Sequence, residues 1–188
     1  MAAITDKHGG GRNLWRIARW SAAAGLLTIP AIAMQFTEEV QWTASDFIVM
    51  GGLLAIILGA YEWLSSRSNA MAYRVAAGVT VLGVFLLIWL NLAVGIIGSE
   101  NNDANLMFAG VIAVITGGAC IAHFRAEGMG WTLIAAAVSQ VVVGAIALIG
   151  DLGTDGRAWP RDVIVLSGFF TGLWLVAATL FRMSAKET

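Results

Sequence analysis

Apolar and polar positions along this chain fall into long blocks. Six apolar runs, at about 16–37, 46–65, 73–98, 105–124, 130–150 and 162–182, are separated by short polar stretches. An α-helix needs roughly 20 mostly apolar residues to cross the hydrocarbon of a bilayer, and each run is close to that length. Segments alternating with period two are absent, so a transmembrane β-barrel is not expected. An open sheet would leave its edge groups unpaired in lipid. The pattern predicts an all-α, polytopic bundle of six transmembrane helices in a single domain over residues 1–188. Residues 1–14 and 183–188 form its tails. Connections this short make neighbouring helices antiparallel hairpins.

The blocks also repeat. The even-numbered runs open with "DFIVMGGLLAIILGAY" at Asp46, "NLMFAGVIAVITGGAC" at Asn105 and "DVIVLSGFFTGLWLVA" at Asp162. Each begins with Asp or Asn, a residue type that caps a helix by accepting from a free N–H of the first turn. Five residues on stands a small residue, Gly51, Gly110 or Ser167, and each run ends at a basic one, Arg67, Arg125 or Arg182. The odd runs echo one another in "SAAAGLL", "RVAAGVT" and "LIAAAVS". The reading is three copies of one hairpin. Their corners are "TEEVQWTASD", "GIIGSENNDAN" and "DLGTDGRAWPRD", rich in residues that favour turns and caps.

Charge gives the hairpins a direction. Lys7, Arg12, Arg16, Arg19, Arg67, Arg74, Arg125, Arg182 and Lys186 fall on one side of the predicted bundle, and only Arg157 and Arg161 on the other. Lys and Arg in short loops stay in the cytoplasm, so both termini are expected there. Glu38, Glu39, Asp46, Glu100, Asp103, Asp151, Asp155 and Asp162 then make the opposite face anionic. Trp15, Trp20, Trp63 and Trp131 fall near the inner interface, Trp42 and Trp159 near the outer one, as an aromatic belt requires. The first run, ending in Ala31-Ile32-Ala33 behind four basic residues, imitates a signal peptide. Its match to later runs makes it the first member of the repeat instead. Composition agrees: 59% of residues are hydrophobic and 12% charged, too few charges to cover a water-facing surface. A net charge of −1 offers nothing to nucleic acid. One cysteine, Cys120, excludes an internal disulfide and any multi-cysteine metal centre.

Candidate chemistry is sparse. Gly51, Ala55 and Gly59 recur four apart, as do Ala109, Ala113 and Gly117, beside Gly110; Gly168 and Gly172 form a further pair. Small residues at this spacing let helix backbones approach in lipid, first within the chain and otherwise between chains. Glu62 is the one charge inside a run, within reach of Arg67 or Arg74 near the cytoplasmic boundary. Asn91 and Trp89 in the third run, and Ser139 and Gln140 in the fifth, are polar groups that either bond between helices or line a polar path. Gln35, Glu38 and Glu39 lie toward the outer corner with Asp46, Glu100, Asp103 and Asp162. This acidic face is a contact surface or a weak oxygen site for a cation, without the spacing of a metal motif. His8 and His123 have no nucleophile or metal partner nearby. HExxH, GxSxG and a phosphate loop are absent, so neither an enzyme nor a cofactor is expected.

Three membrane hairpins, with "GLLTIP" in the first helix and a returning "SDFIVMGGLLAIILGAYEWL", resemble the HdeD-type acid-resistance membrane proteins. The resemblance implies a small bacterial inner-membrane protein with six helices and a threefold internal repeat, and no catalytic residues. This chain departs from the pattern in its long polar corners and its many tryptophans. The expectation is a non-enzymatic, multi-pass protein acting through packing and partner contacts. It would be a homo-oligomer or an accessory subunit of a larger membrane complex, with a role in stress resistance. The second reading is a small channel or transporter with a polar path between helices three and five.

Overall fold

In the computed structural model, residues 8–38 and 40–187 are described, with side chains from Leu14 onward; Glu39 and Lys7 lie outside them. Six α-helices follow in order: α1 His8–Ala33, α2 Ala44–Ser65, α3 Met71–Ala93, α4 Met107–Ile121, α5 Ala126–Ile149 and α6 Arg161–Lys186. A 3₁₀ turn, Asp103–Leu106, leads into α4, and no strand occurs among the described residues. Among the described residues five segments are long and apolar enough to cross a membrane: α2, α3, the 3₁₀ turn with α4, α5 and α6. The 3₁₀ turn supplies needed length, because 15 residues of α4 rise only about 22 Å and four 3₁₀ residues add about 8 Å. Together they match the roughly 30 Å of hydrocarbon. The first helix falls outside this group. Arg12, Arg16 and Arg19 sit within it, so only its last part, from Trp20 to Ala33, is free of charge.

The chain divides into two compact units, one up to Gly59 and one from Ala60 onward, where the sequence pattern suggests a single domain. In the first unit α1 is mostly exposed. Its more covered positions, Arg19, Ala23, Leu27, Pro30 and Ala33, recur every three or four residues on one face. A methyl group added at Gly51 of α2 would meet Leu27 from that face at 3.6 Å, an ordinary contact.

The second unit holds most of the core. Buried positions of α6 are Val163, Ser167, Phe170, Trp174, Ala177, Ala178, Phe181 and Ser184. Steps alternating three and four place them on one stripe, the spacing of knobs-into-holes packing. The extended packing runs α3 on α6, α6 on α5 and α5 on α4. The hairpin α5–α6 therefore sits between α3 and α4, which the sequence pattern pairs with each other. Glycines seal these contacts where neighbours leave no room for a Cβ. One added at Gly83 would come within 2.6 Å of the Trp174 ring, at Gly118 within 2.6 Å of Thr132, and at Gly144 within 2.9 Å of Ser167 Oγ. A methyl at Gly130 would meet the Arg182 side chain at 2.6 Å.

The glycines singled out by spacing do something else. At Gly59, Gly110, Gly117, Gly168 and Gly172 an added Cβ would meet nothing within 4 Å, so these residues do not seal contacts inside their own unit. Gly118, about 100° further round the helix from Gly117, does so instead.

Candidate functional site

Three polar assemblies stand out, all in the second unit. The first is the corner between α3 and α4. Helix α3 ends at Ala93, five residues before the apolar run ends, because Gly95 and Gly98 turn the chain with φ of +72° and +74°. Backbone of that hand is readily adopted only by glycine. Ile96 and Ile97 then dip back into the core and are fully buried. Their backbone would be stranded there without Asn105. Its Oδ1 accepts from the N–H of Ile96 and of Ile97, both at 2.9 Å. Its Nδ2 donates to the carbonyls of Ile97 at 3.2 Å and Ser99 at 2.7 Å.

This corner interlocks with the corner between α5 and α6. Asn102 caps the 3₁₀ turn, accepting from Ala104 N–H at 3.0 Å, and its Nδ2 donates to the Leu152 carbonyl at 2.6 Å. Asp155 accepts from the Ser99 hydroxyl at 3.1 Å and from Asn102 at 3.4 Å. Gly156 lies so close to Gly98 that an added Cβ would reach its Cα at 2.8 Å. The "GSENN" stretch is thus a built corner, fastened by its own amides to its neighbour. We call this the acidic end of the unit.

The second assembly closes the opposite, basic end. The Tyr73 hydroxyl donates to the Phe124 carbonyl at 2.8 Å, and its ring meets Phe181 edge-on at 5.0 Å. Trp63 meets Phe124 edge-on at 4.4 Å, and the Arg67 guanidinium lies 4.0 Å over the Trp63 ring. Arg182 stands 5.1 Å from the Trp131 ring. Basic residues at an interface, stacked on aromatic rings, keep their charge at the water boundary while their stems cover apolar surface.

The third assembly lies inside. Gln140 of α5 and Trp174 of α6 are both 0% exposed. Neither the Gln140 amide N and O nor the Trp174 indole N has a hydrogen-bond partner, and the same holds for Ser167 Oγ and Asn91 Oδ1. Asn91 uses its Nδ2 on the Leu87 carbonyl of its own helix at 2.7 Å. An amide left dry and unpaired costs about 1–3 kcal/mol by mutational measures. Of the polar path expected from sequence, Asn91 and Gln140 thus reach the interior. Ser139 does not: its hydroxyl donates to Ala135 of its own helix at 2.9 Å. Glu62 is half-buried near the basic end, on a different helix from these.

The expected caps are placed differently. Asp46 lies three residues into the start of α2, where its carboxylate accepts from Thr43 N–H at 2.7 Å and the Thr43 hydroxyl at 2.8 Å. Asp46 thus reaches back to Thr43 as the acidic half of a capping box does. Asn105 serves the preceding loop and not the start of α4, and Asp162 sits in the first turn of α6 behind Pro160. Of the other acidic candidates, Glu38 and Asp103 are exposed, and Glu100 accepts only from Asn101 at 3.2 Å. Among the described residues no three of His, Cys, Asp and Glu come together as ligands for a metal ion.

Sequence reasoning missed Trp174, Ser167 and Asp155 as members of these assemblies. Ser167 already stood out as the polar exception at a position held by glycine in the other two repeats. No family model, no curated protein and no solved structure matches the chain.

Proposed function

We propose that this chain is a multi-pass protein of the bacterial inner membrane, with both termini cytoplasmic. It acts without catalysis, through side-by-side contact of its helices with a second copy or with another membrane subunit. The observation that carries this reading is the open face of small residues on α4. Ala109, Gly110, Ala113 and Gly117 are exposed, and nothing lies within 4 Å of a Cβ added at either glycine. Lipid offers no hydrophobic drive for helix association, so close backbone approach is the main means of gaining contact energy. A flat row of small residues that packs against nothing within its own unit is suited to that approach. Gly168 and Gly172 present a second such face on α6. The split of basic residues supports the orientation. The sixth span through α1 and the threefold repeat rest on the sequence pattern, and a role in acid survival on the resemblance to HdeD-type proteins.

Cys120 gives the test a native handle. It is exposed and lies three residues beyond Gly117 and seven beyond Ala113, on the same face of α4. Oxidative cross-linking in native membranes is expected to yield one discrete adduct through Cys120, of twice the chain mass for self-association or another fixed mass for a different subunit. Gly117→Leu is expected to abolish it. A chain that stays monomeric in lipid and forms no adduct refutes the reading. A survival assay of the deletion strain at low pH tests the stress role separately.

A further inference from the structure

We infer that Ser167, Gln140 and Trp174 hold an enclosed, uncharged water site in the acidic half of the second unit, closed toward the basic end. The site is separate from the α4 face and does not depend on it.

The packing register fixes the heights of these groups. Helices α5 and α6 are antiparallel, with Gly144 against Ser167 and Gly130 against Arg182. Gln140 lies four residues from Gly144 toward the basic end, a rise of about 6 Å. Trp174 lies seven residues from Ser167 in the same direction, about 10.5 Å. The Cα atoms of the three residues therefore descend in steps of about 6 and 4.5 Å. One water making two bonds of about 2.8 Å at a near-tetrahedral angle bridges atoms about 4.5 Å apart. On α3, Gly83 meets Trp174, so Asn91, eight residues nearer the acidic end, stands at the height of Leu166 and Ser167. Its unpaired Oδ1 is the member of the set nearest the acidic end.

The chemistry selects water. Gln140 presents a donor and an acceptor, Ser167 presents both on one oxygen, and Trp174 presents a donor only. No charged side chain belongs to the set, so nothing there replaces the hydration shell of an ion. Buried waters typically satisfy polar groups of this kind, left unpaired in an otherwise apolar interior. Below Trp174 the path closes. Leu133, Ala136, Ala177 and Phe181 are fully buried. Two buried hydroxyls there, those of Thr80 and Thr132, donate to Ala76 and Gly128 of their own helices.

Water-edited solid-state NMR of the full chain in lipid bilayers tests this. The Gln140 carboxamide and the Trp174 indole N–H are expected to receive magnetisation from water sooner than the Phe170 ring, their buried neighbour. In Gln140→Leu the early Trp174 signal is expected to be lost. Build-up at Gln140 and Trp174 no faster than at Phe170 in the wild-type protein overturns the inference, whether or not the variant folds. The blind end has its own readout: proteoliposomes under osmotic shock are expected to shrink at the protein-free rate. Faster shrinkage that Gln140→Leu suppresses makes the site a through-path and overturns its closure.

Discussion

The corner built on Asn105 makes the sharpest test of how this chain spends its polar groups. Asn105→Ala removes four hydrogen bonds at once, two accepted from Ile96 and Ile97 and two donated to Ile97 and Ser99. A neutral hydrogen bond contributes about 1 kcal/mol net, and a buried N–H left unpaired costs about 1–3 kcal/mol. The loop lies near the water boundary and relaxes in part, so the expected loss is about 2–4 kcal/mol. Asn105→Asp separates the two halves of the network. The new carboxylate keeps both acceptor bonds but turns an oxygen toward two carbonyls that now lack a donor. The variant loses both donated bonds and sets oxygen against oxygen, so it is expected to be destabilised even though the bonds from Ile96 and Ile97 survive. Denaturant unfolding in detergent micelles, with hydrogen exchange at the Ile96 and Ile97 amides, reads both effects. An alanine variant within about 0.5 kcal/mol of wild type, the scatter expected of a surface substitution, with both amides still protected, refutes the reasoning.

Three further outcomes follow from the packing. Gly98→Ala forces a side chain into left-handed backbone and onto Asp155, whereas Gly110→Ala meets open space. Thermal unfolding is expected to show a loss of at least about 1–2 kcal/mol for the first and almost none for the second. Gly118→Val presses on Thr132 and is expected to lower stability by about 1–3 kcal/mol, while Gly117→Val, one residue earlier, leaves monomer stability unchanged. Tyr73→Phe deletes the bond to the Phe124 carbonyl and is expected to cost about 1 kcal/mol in the same assay. Equal effects of Gly117→Val and Gly118→Val count against the assignment of helix faces.

The pattern of apolar runs placed α2 to α6 within a few residues, because bilayer thickness and turn chemistry are both local properties of sequence. Among these helices the most misplaced end was that of α3, five residues too late, where Gly95 and Gly98 turn an apolar stretch back into the core without any polar residue to announce it. The acidic end was legible as a corner, but the partners of Asn102 and Asp155 lie some fifty residues apart. Asn105 reads equally well as a cap and as a loop fastener.

What the sequence by itself determined is therefore the list of helices, their approximate ends and the sign of charge at each end. Tertiary structure alone decided that α3 packs on α6, that Gly118 seals a contact where Gly117 does not, and that Gln140 is interior while Ser139 bonds its own helix. The reason is physical. In a water-soluble helix the polar stripe reveals the exposed face, but here lipid and core are equally apolar, so no periodic signal says which way a helix is turned. Adjacent residues differ by 100° about the helix axis, and only the neighbouring helices resolve that angle.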